Sequence, residues 1–338
     1  MGHRTGKGTA SVPVGYSMYE FYISRNGILE REGNTIYFKG EDFKTHIPVN
    51  NVSEIIIAAK VSLSSWAIDY LSKINIPVHV LRENGTYMAS LVPIGKNEKG
   101  GDTVKQALAY NDQHQRVRIA GEMVMGIRAS ILRNLRYYNK NGILDDEIER
   151  VRSYKPDGDT VDSIMGFEGN IWNAYYSAFP KMFSGYLAFK RSFHPPRDPL
   201  NAMISFGNAL LYSSTLTKII VSGLNPSISF LHEPSDRSFS LALDIADVFK
   251  PVIVERIIGN LANNRIMADS DFRMDGGACY LSEKGRKKFL EYYSEKINTS
   301  VKTDKGYATY GTLIKGECIK LLKDVRGEEK YRSFRSWD

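Results

Sequence analysis

Cysteine is scarce in this chain. Cys279 and Cys318 are the only two. They form neither a disulfide framework nor a CxxC metal knuckle, so the composition predicts an intracellular, cytoplasmic protein with both thiols used in packing. Long apolar runs are also missing: the most membrane-like stretch, Met203 to Leu224, contains Asn208, Lys218 and several hydroxyls. It reads as a buried helix, and no membrane span is expected. The first fifteen residues, MGHRTGKGTASVPVG, lack the apolar core of a secretory signal. Their GKGT follows no strand and has its upstream glycine at the wrong spacing, which argues against a phosphate loop. No repeat at solenoid spacing is found, and the strand and helix patterns do not alternate as in a Rossmann or TIM-barrel enzyme.

What is present is an ordinary globular composition. Of 338 residues, 42% are hydrophobic and 25% charged, and Gly (28) and Pro (12) are at normal levels, which excludes a disordered or collagenous chain. The length exceeds one typical domain, so two are expected. Between residues 16 and 93, short runs such as YEFYIS, GILERE, TIYFK, EIIIA and PVHVL alternate with period two. With Asn26-Gly27 and Gly33-Asn34 between runs, they predict hairpins of an antiparallel sheet. One helix, LSSWAIDYLSKIN, interrupts them, with Ser62 or Ser64 as its cap. Residues 94–102 (IGKNEKGGD) read as a linker. From Thr103 onward apolar residues recur at threes and fours, predicting a helical domain over 103–338. The expected fold class is therefore α+β with two domains, a small β-rich N-terminal domain followed by a larger all-α catalytic domain.

The net charge of +7 suits a polyanionic partner without identifying one. Placed on one helix, Arg118, Arg128, Arg133, Arg136 and Lys140 fall within an arc of roughly 140°. Read as phosphate contacts, they predict DNA binding, and Arg197 and Arg256 join them as candidates; read as a solvated face, they predict nothing. The segment from Lys315 to Arg335 is a second basic candidate diluted by acids. Among the histidines, His3, His46, His79 and His114 read as structural or surface positions, and His194 in FHPPRDP as a packed turn. His232 differs because it closes an apolar stretch ahead of a helix on which Asp244 and Asp247 stand three apart on one face. Leu241, Leu243, Ile245, Val248 and Phe249 surround these acids, and burying carboxylates unpaired is costly. Two compensations are open, a bound cation or an ion pair to Arg256, Arg237 or Lys250. Glu168, among Trp172, Tyr175, Tyr176 and Phe179, is a further acid in apolar company. A Glu, His and Asp set suits Mg²⁺ or Mn²⁺, with the imidazole favouring Mn²⁺.

Three ordered segments, FEGNIWNAYYSAF, PPRDPLNAMISFGNALLYS and GLNPSISFLHEPSDRSFSLALDIADVFKPVIVERI, resemble the CRISPR-associated endonuclease and integrase family that captures new spacers, often called Cas-one. The resemblance covers nearly the whole chain except its first fifteen residues. It implies Glu168, His232 and Asp247 as metal ligands, Asp244 as an accessory catalytic acid that orients a ligand or water, and Mg²⁺ or Mn²⁺ as cofactor. It further implies a homodimer, DNA substrates (protospacer and CRISPR repeat), and assembly with the smaller Cas-two subunit. In the implied reaction a 3′-hydroxyl of incoming DNA attacks a repeat phosphodiester. Asn208, Ser229 and Lys250 stand where the family pattern leads us to expect an aromatic, a glycine and an arginine, departures read as touching only packing or nucleic-acid contacts. A branched-DNA or repair nuclease, and a DNA-binding scaffold without catalysis, are the alternative readings.

Overall fold

The computed structural model describes residues 19–82, 85–93, 100–155, 158–183, 189–192, 195–234, 239–304 and 306–335. The N-terminal tail with His3, most of the expected linker (94–99), His194 and Arg237 lie outside them. The N-terminal region comprises β1 (Tyr19–Ile23), β2 (Gly27–Glu32), β3 (Thr35–Lys39), β4 (Lys44–Ile47), β5 (Val52–Ile57), β6 (Val61–Leu63), α1 (Ser65–Lys73), β7 (Val78–Leu81) and β8 (Tyr87–Leu91). They form two four-stranded sheets, ordered β1-β5-β7-β8 and β4-β3-β2-β6. As expected, Gly33-Asn34 closes an antiparallel hairpin, with Glu32 opposite Thr35 and Gly33 at φ +61°. Ser64 caps α1, its hydroxyl accepting from the Ala67 amide.

Two expectations fail. Asn26-Gly27 turns no hairpin: β1 pairs in parallel with β5, while β2 enters the other sheet and pairs in parallel with β6. The sheets are mixed for that reason. A turn signal specifies a local change of direction, whereas the partner of each strand is set by which faces must be buried. In β5 this is explicit. Ile55 and Ile57 enter the core shared by the two sheets, while Ile56 between them joins the core of the helical region.

That second region holds α2 (Gly100–Asn111), α3 (Gln113–Tyr138), α4 (Asp145–Ser153), α5 (Val161–Ser177), α6 (Phe179–Met182), α7 (Pro199–Ser222), α8 (Ser240–Phe249) and α9 (Val254–Asn263), followed by α10 (Glu283–Ile297) and α11 (Tyr310–Val325). Gly100, Gly101 and Asp102, expected in the linker, form the first turn of α2. The helical periodicity expected from Thr103 to about Lys140 is carried by two helices that meet at Asp112, whose carboxylate caps α3 through the Gln115 amide, and Arg118 to Arg136 share α3. The region is also not all-α. Phe272–Asp275 (β9) pairs with Ala278–Leu281 (β10), and Ser300–Thr303 (β11) with Gly306–Thr309 (β12), as antiparallel hairpins. Four-residue strands fall below the length at which a period of two separates from one of 3.6.

The stretch with few charges is indeed a buried helix. In α7, Leu200, Met203, Leu210, Leu211 and Leu216 are fully enclosed, packed by α8, α9 and α11. Among the described residues no helix is long and apolar enough to cross a membrane. Helix α7 also meets the N-terminal sheet through polar groups. Lys218 Nζ lies 2.9 Å from Glu20 and 2.6 Å from Glu54, and Thr217 Oγ1 donates to Glu54 at 2.9 Å. His79, read as structural, is fully buried in this network beside Ser90 and Thr217.

Candidate active site

Helix α5 presents Glu168, Trp172 and Tyr176 along one face, as spacings of four require. Opposite it stands α8 with Asp247, and between α7 and α8 runs the segment that carries His232. The sequence dictates how this segment is held. Gly223, at φ 87°, ends α7 in a left-handed cap. Ser229 then donates to the His232 carbonyl at 2.6 Å. Asp244, completely buried, accepts from the amides of Phe230 (2.7 Å), Leu231 (3.0 Å) and His232 (3.0 Å). The same carboxylate accepts from His232 Nδ1 at 2.7 Å, leaving Nε2 as the free ring nitrogen. Asp244 therefore positions His232. It does not itself line the cavity and reaches it through His232, the residue that the accessory acid holds in place.

Glu168, His232 and Asp247 do come together: all three line one cavity of about 680 Å³, with Trp172, Tyr176, Phe189, Lys190, Arg191 and Lys250. Their charges interact. Burial, reinforced by the Asp247 charge, pushes the Glu168 carboxyl up to about 7, against the opposing charges of His232 and Lys250 and a hydrogen bond from Trp172. Burial alone would lower the His232 imidazole. The hydrogen bond and charge of Asp244, helped by Asp247 and Glu168, outweigh it and raise the ring to about 9. The three groups are near but not closed on a point: among the described residues no three His, Cys, Asp or Glu side chains are set to hold a single ion.

Of the ion-pair partners considered for the two acids, Lys250 is the one present among the described residues, Arg237 lying outside them. Its ammonium contacts Asp247 Oδ1. Arg256 instead stacks on Tyr137, its guanidinium carbon 3.4 Å from the ring centre. Lys250 is thus a cavity residue, contrary to the expectation that its departure from the family pattern concerns packing or nucleic acid only. Two further residues escaped the sequence reading. Arg191 carries no signal in its neighbourhood, whereas Glu255, an acid in the apolar run VIVERII, shows the same signal that singled out Asp244 and Asp247. It is fully buried.

The basic stripe is largely consumed inside the chain. Arg118 donates to both oxygens of Asp324 at 2.7 and 2.6 Å. Arg128 donates to the carbonyls of Val151 (3.0 Å) and Arg152 (2.5 Å). Arg133 and Arg136 also have intrachain partners. In the C-terminal segment Lys320, Lys323, Arg326, Arg332 and Arg335 each meet an acid, at Glu317, Glu329, Asp102 and, for the last two, Glu122. Periodicity locates such charges on a face but does not reveal acids supplied by other elements. Arg197 is exposed. Arg256 contributes to a second cavity, of about 600 Å³, together with Lys140, Lys296, Tyr137 and Tyr138. There burial, with the charges of Arg256 and Arg133, drives the Lys296 ammonium down to about 8.

With two helices and a braced turn bringing a Glu, a His and an Asp to one cavity, kinship can be judged on architecture and sequence together. Residues 21–295 match the family described as CRISPR associated protein Cas1. This chain belongs to the Cas1 family. A CRISPR-associated endonuclease Cas1 of Clostridium perfringens is 39% identical over 328 residues, covering 94% of this chain and 99% of the relative. A solved CAS1 protein from Thermotoga maritima superposes with a TM-score of 0.83 at 31% identity, covering 94% of this chain and all of the other (100%). A casposase bound to integration product shares the fold, with a TM-score of 0.82 at 21% identity over 94% of each chain. The β-rich then helical order of this chain is that of Cas1 structures.

Proposed function

We propose that this Cas1-family chain is a divalent-ion-dependent DNA endonuclease and integrase that inserts new spacers into CRISPR arrays. The observation that carries the reading is the convergence of Glu168, His232 and Asp247 on one cavity, with His232 held by a buried Asp244. The donor set fits Mg²⁺ or Mn²⁺: two carboxylates and one imidazole with Nε2 free, the Asp247 oxygen Oδ1 meeting the Lys250 ammonium without hydrogen-bond geometry. Glu168, His232 and Asp247 would hold the ion, which would supply Lewis-acid chemistry to a phosphoryl oxygen and to the attacking hydroxyl. The chain's own groups do the rest. Asp244 fixes the imidazole tautomer by accepting from Nδ1. Trp172, Tyr176 and Phe189 wall the cavity and limit water, and Lys190 and Arg191 bring positive charge to the phosphodiester. In strand transfer the 3′-oxygen of the incoming DNA bonds to a repeat phosphorus while the bond from that phosphorus to the repeat's own 3′-oxygen breaks.

The second cavity, with Arg256, Lys296 and Lys140 over two tyrosines, suits further backbone phosphates. Arg197 is the other exposed candidate, whereas Arg118 and Arg128 have their guanidinium groups occupied. A homodimer through the N-terminal region, and assembly with Cas-two, complete the proposal. Supporting self-association, Trp66 is 73% exposed and Met88 50% exposed on that region.

The test is cleavage and strand transfer with Glu168→Ala, His232→Ala and Asp247→Ala in Mg²⁺ and in Mn²⁺. Each variant is expected to lose both activities while its circular dichroism and melting remain those of a folded chain. Wild-type activity in any one of them removes that residue from the site. Retained activity in EDTA removes the ion.

A further inference from the structure

Three carboxylates lie in or behind the wall of the catalytic cavity, and they outnumber the cations that touch them. Glu168 and Asp247 line it. Glu255, on the first turn of α9, is completely buried, and neither of its oxygens has a partner from another residue among those described. An isolated carboxylate in such a place costs several kcal/mol, so its retention calls for a compensating cation in some state of the protein. The positive charges that Glu255 feels are those of Lys250 and Arg191.

Lys250 is committed elsewhere. Its ammonium stands against Asp247 Oδ1. That oxygen has no hydrogen-bond partner, so the contact is an ion pair without hydrogen-bond geometry. The ammonium also lies 5.9 Å from the Trp172 ring centre, over the cavity. It therefore occupies an oxygen that a dication would need, which agrees with the open arrangement of Glu168, His232 and Asp247. Two cations do not share one buried carboxylate oxygen at low dielectric cost. When an ion arrives, the ammonium must leave. A lysine can do so because its charge sits on a flexible four-carbon arm, whereas the planar guanidinium expected at this position by family pattern is bulkier and binds in a fixed fork. Lys250 opens the 3-10 turn Lys250–Val252, and Glu255 follows at the start of α9, so the donor arm and the partnerless acid flank the same turn.

We propose that Lys250 is the internal counter-ion of the unloaded site: its ammonium holds Asp247 until a divalent ion takes that carboxylate, then passes to Glu255. This rests on the metal reading given above. Lys250 and Glu255 are positioning residues in this scheme, and neither touches DNA. The exchange moves one cation between two buried acids. Without the ion, Lys250 neutralises Asp247; with it, Lys250 neutralises Glu255, and the ion is balanced by Glu168 and Asp247.

The experiment is calorimetric titration of Mn²⁺ into the full chain and three variants, Glu255→Gln, Lys250→Met and the double variant, with thermal unfolding recorded for each. The wild type is expected to bind one ion per chain at the site, abolished by Asp247→Ala. Glu255→Gln is expected to weaken binding about tenfold, because the displaced ammonium loses its acceptor. Adding Lys250→Met should restore wild-type affinity or better, since no ammonium then needs a new place. Equal weakening by Glu255→Gln with and without Lys250 would mean that Glu255 acts on the ion by charge alone, and would overturn the exchange. So would unchanged affinity in Glu255→Gln, a near-isosteric variant that tests the proposal even if Lys250→Met fails to fold. Absence of site-specific binding in the wild type overturns the metal reading itself, and is told apart by that curve alone.

Discussion

Two of the clusters of buried carboxylates among the described residues are compensated in different ways. Where α7 meets the N-terminal sheet, Glu20 and Glu54 share Lys218, with Thr217, Ser214 and His79 supplying further contacts. Burial works against the charged forms there, yet Lys218 and His79 hold the Glu54 carboxyl below its usual range. Glu20 and Glu54 in turn raise the Lys218 ammonium despite its burial. Around the cavity of Glu168, His232 and Asp247 the balance is the reverse. Glu168 is pushed up to about 7, and so is Glu255, in its case by burial against the weaker pull of its own backbone, Lys250 and Arg191. A saturated network holds two regions in register. An undersaturated one leaves acids uncompensated, and in the reading proposed above an ion from outside would supply the missing charge. The difference, rather than the presence of acids in the interior, is what marks the second cluster as the candidate site.

The comparison can be broken most forcefully at its saturated end. Lys218→Met leaves two buried carboxylates facing each other and is expected to cost about 3–5 kcal/mol, seen as a large fall in the urea midpoint. A midpoint within experimental scatter of the wild type would remove the network's structural role.

At the undersaturated end the sign is opposite. Glu255 has a folded-state pKa of about 7 against an ordinary 4.5, so folding takes up a proton between these values and wild-type stability falls as pH rises from 4.5 to 7. Glu255→Gln abolishes that loss. Its advantage over the wild type should grow by up to about 3 kcal/mol between pH 4.5 and pH 8, measured by denaturant unfolding without divalent ions. An advantage independent of pH would show that Glu255 is not the group responsible.

Asp244→Asn sharpens the contrast more modestly. It weakens charge-assisted bonds to three amides and an imidazole, for an expected cost of about 2 kcal/mol. The His232 ring should then titrate below its present value of about 9, as followed by NMR, because burial remains while the Asp244 charge is gone. Unchanged titration would mean that Asp247 and Glu168 suffice to hold the imidazolium. The smallest effect belongs to the second cavity. Arg256→Met should reduce the slope of log affinity for DNA against log salt by about 1, the loss of one phosphate contact. A slope that stays put would exclude Arg256 from the interface.

Much of this was legible in residue order, and the failures have a common cause. The Gly33-Asn34 hairpin, the Ser64 cap and the burial of α7 are local matters of backbone preference and periodicity, and each appeared as expected. Glu168, His232 and Asp247 were visible as polar groups set in apolar company. The Asn26-Gly27 crossing, the break between α2 and α3 at Asp112 and the two C-terminal hairpins were not, because strand pairing and helix length are settled by contacts outside the segment. Arg118 and Arg128 illustrate the same limit. Their spacing on α3 is readable, but Asp324 and the carbonyls of α4 that engage them come from distant parts of the chain.

Residue order alone thus determined which groups are expensive to bury, since the cost of enclosing a carboxylate or an imidazolium depends on its own chemistry and its apolar neighbours. Only the tertiary structure decided how each was compensated. Lys218 and Lys250 are both lysines near acids, yet the first is clamped between two carboxylates where α7 meets the N-terminal sheet and the second meets one acid in a cavity with another unpartnered behind it. That distinction depends on distances between elements, and no local pattern encodes it.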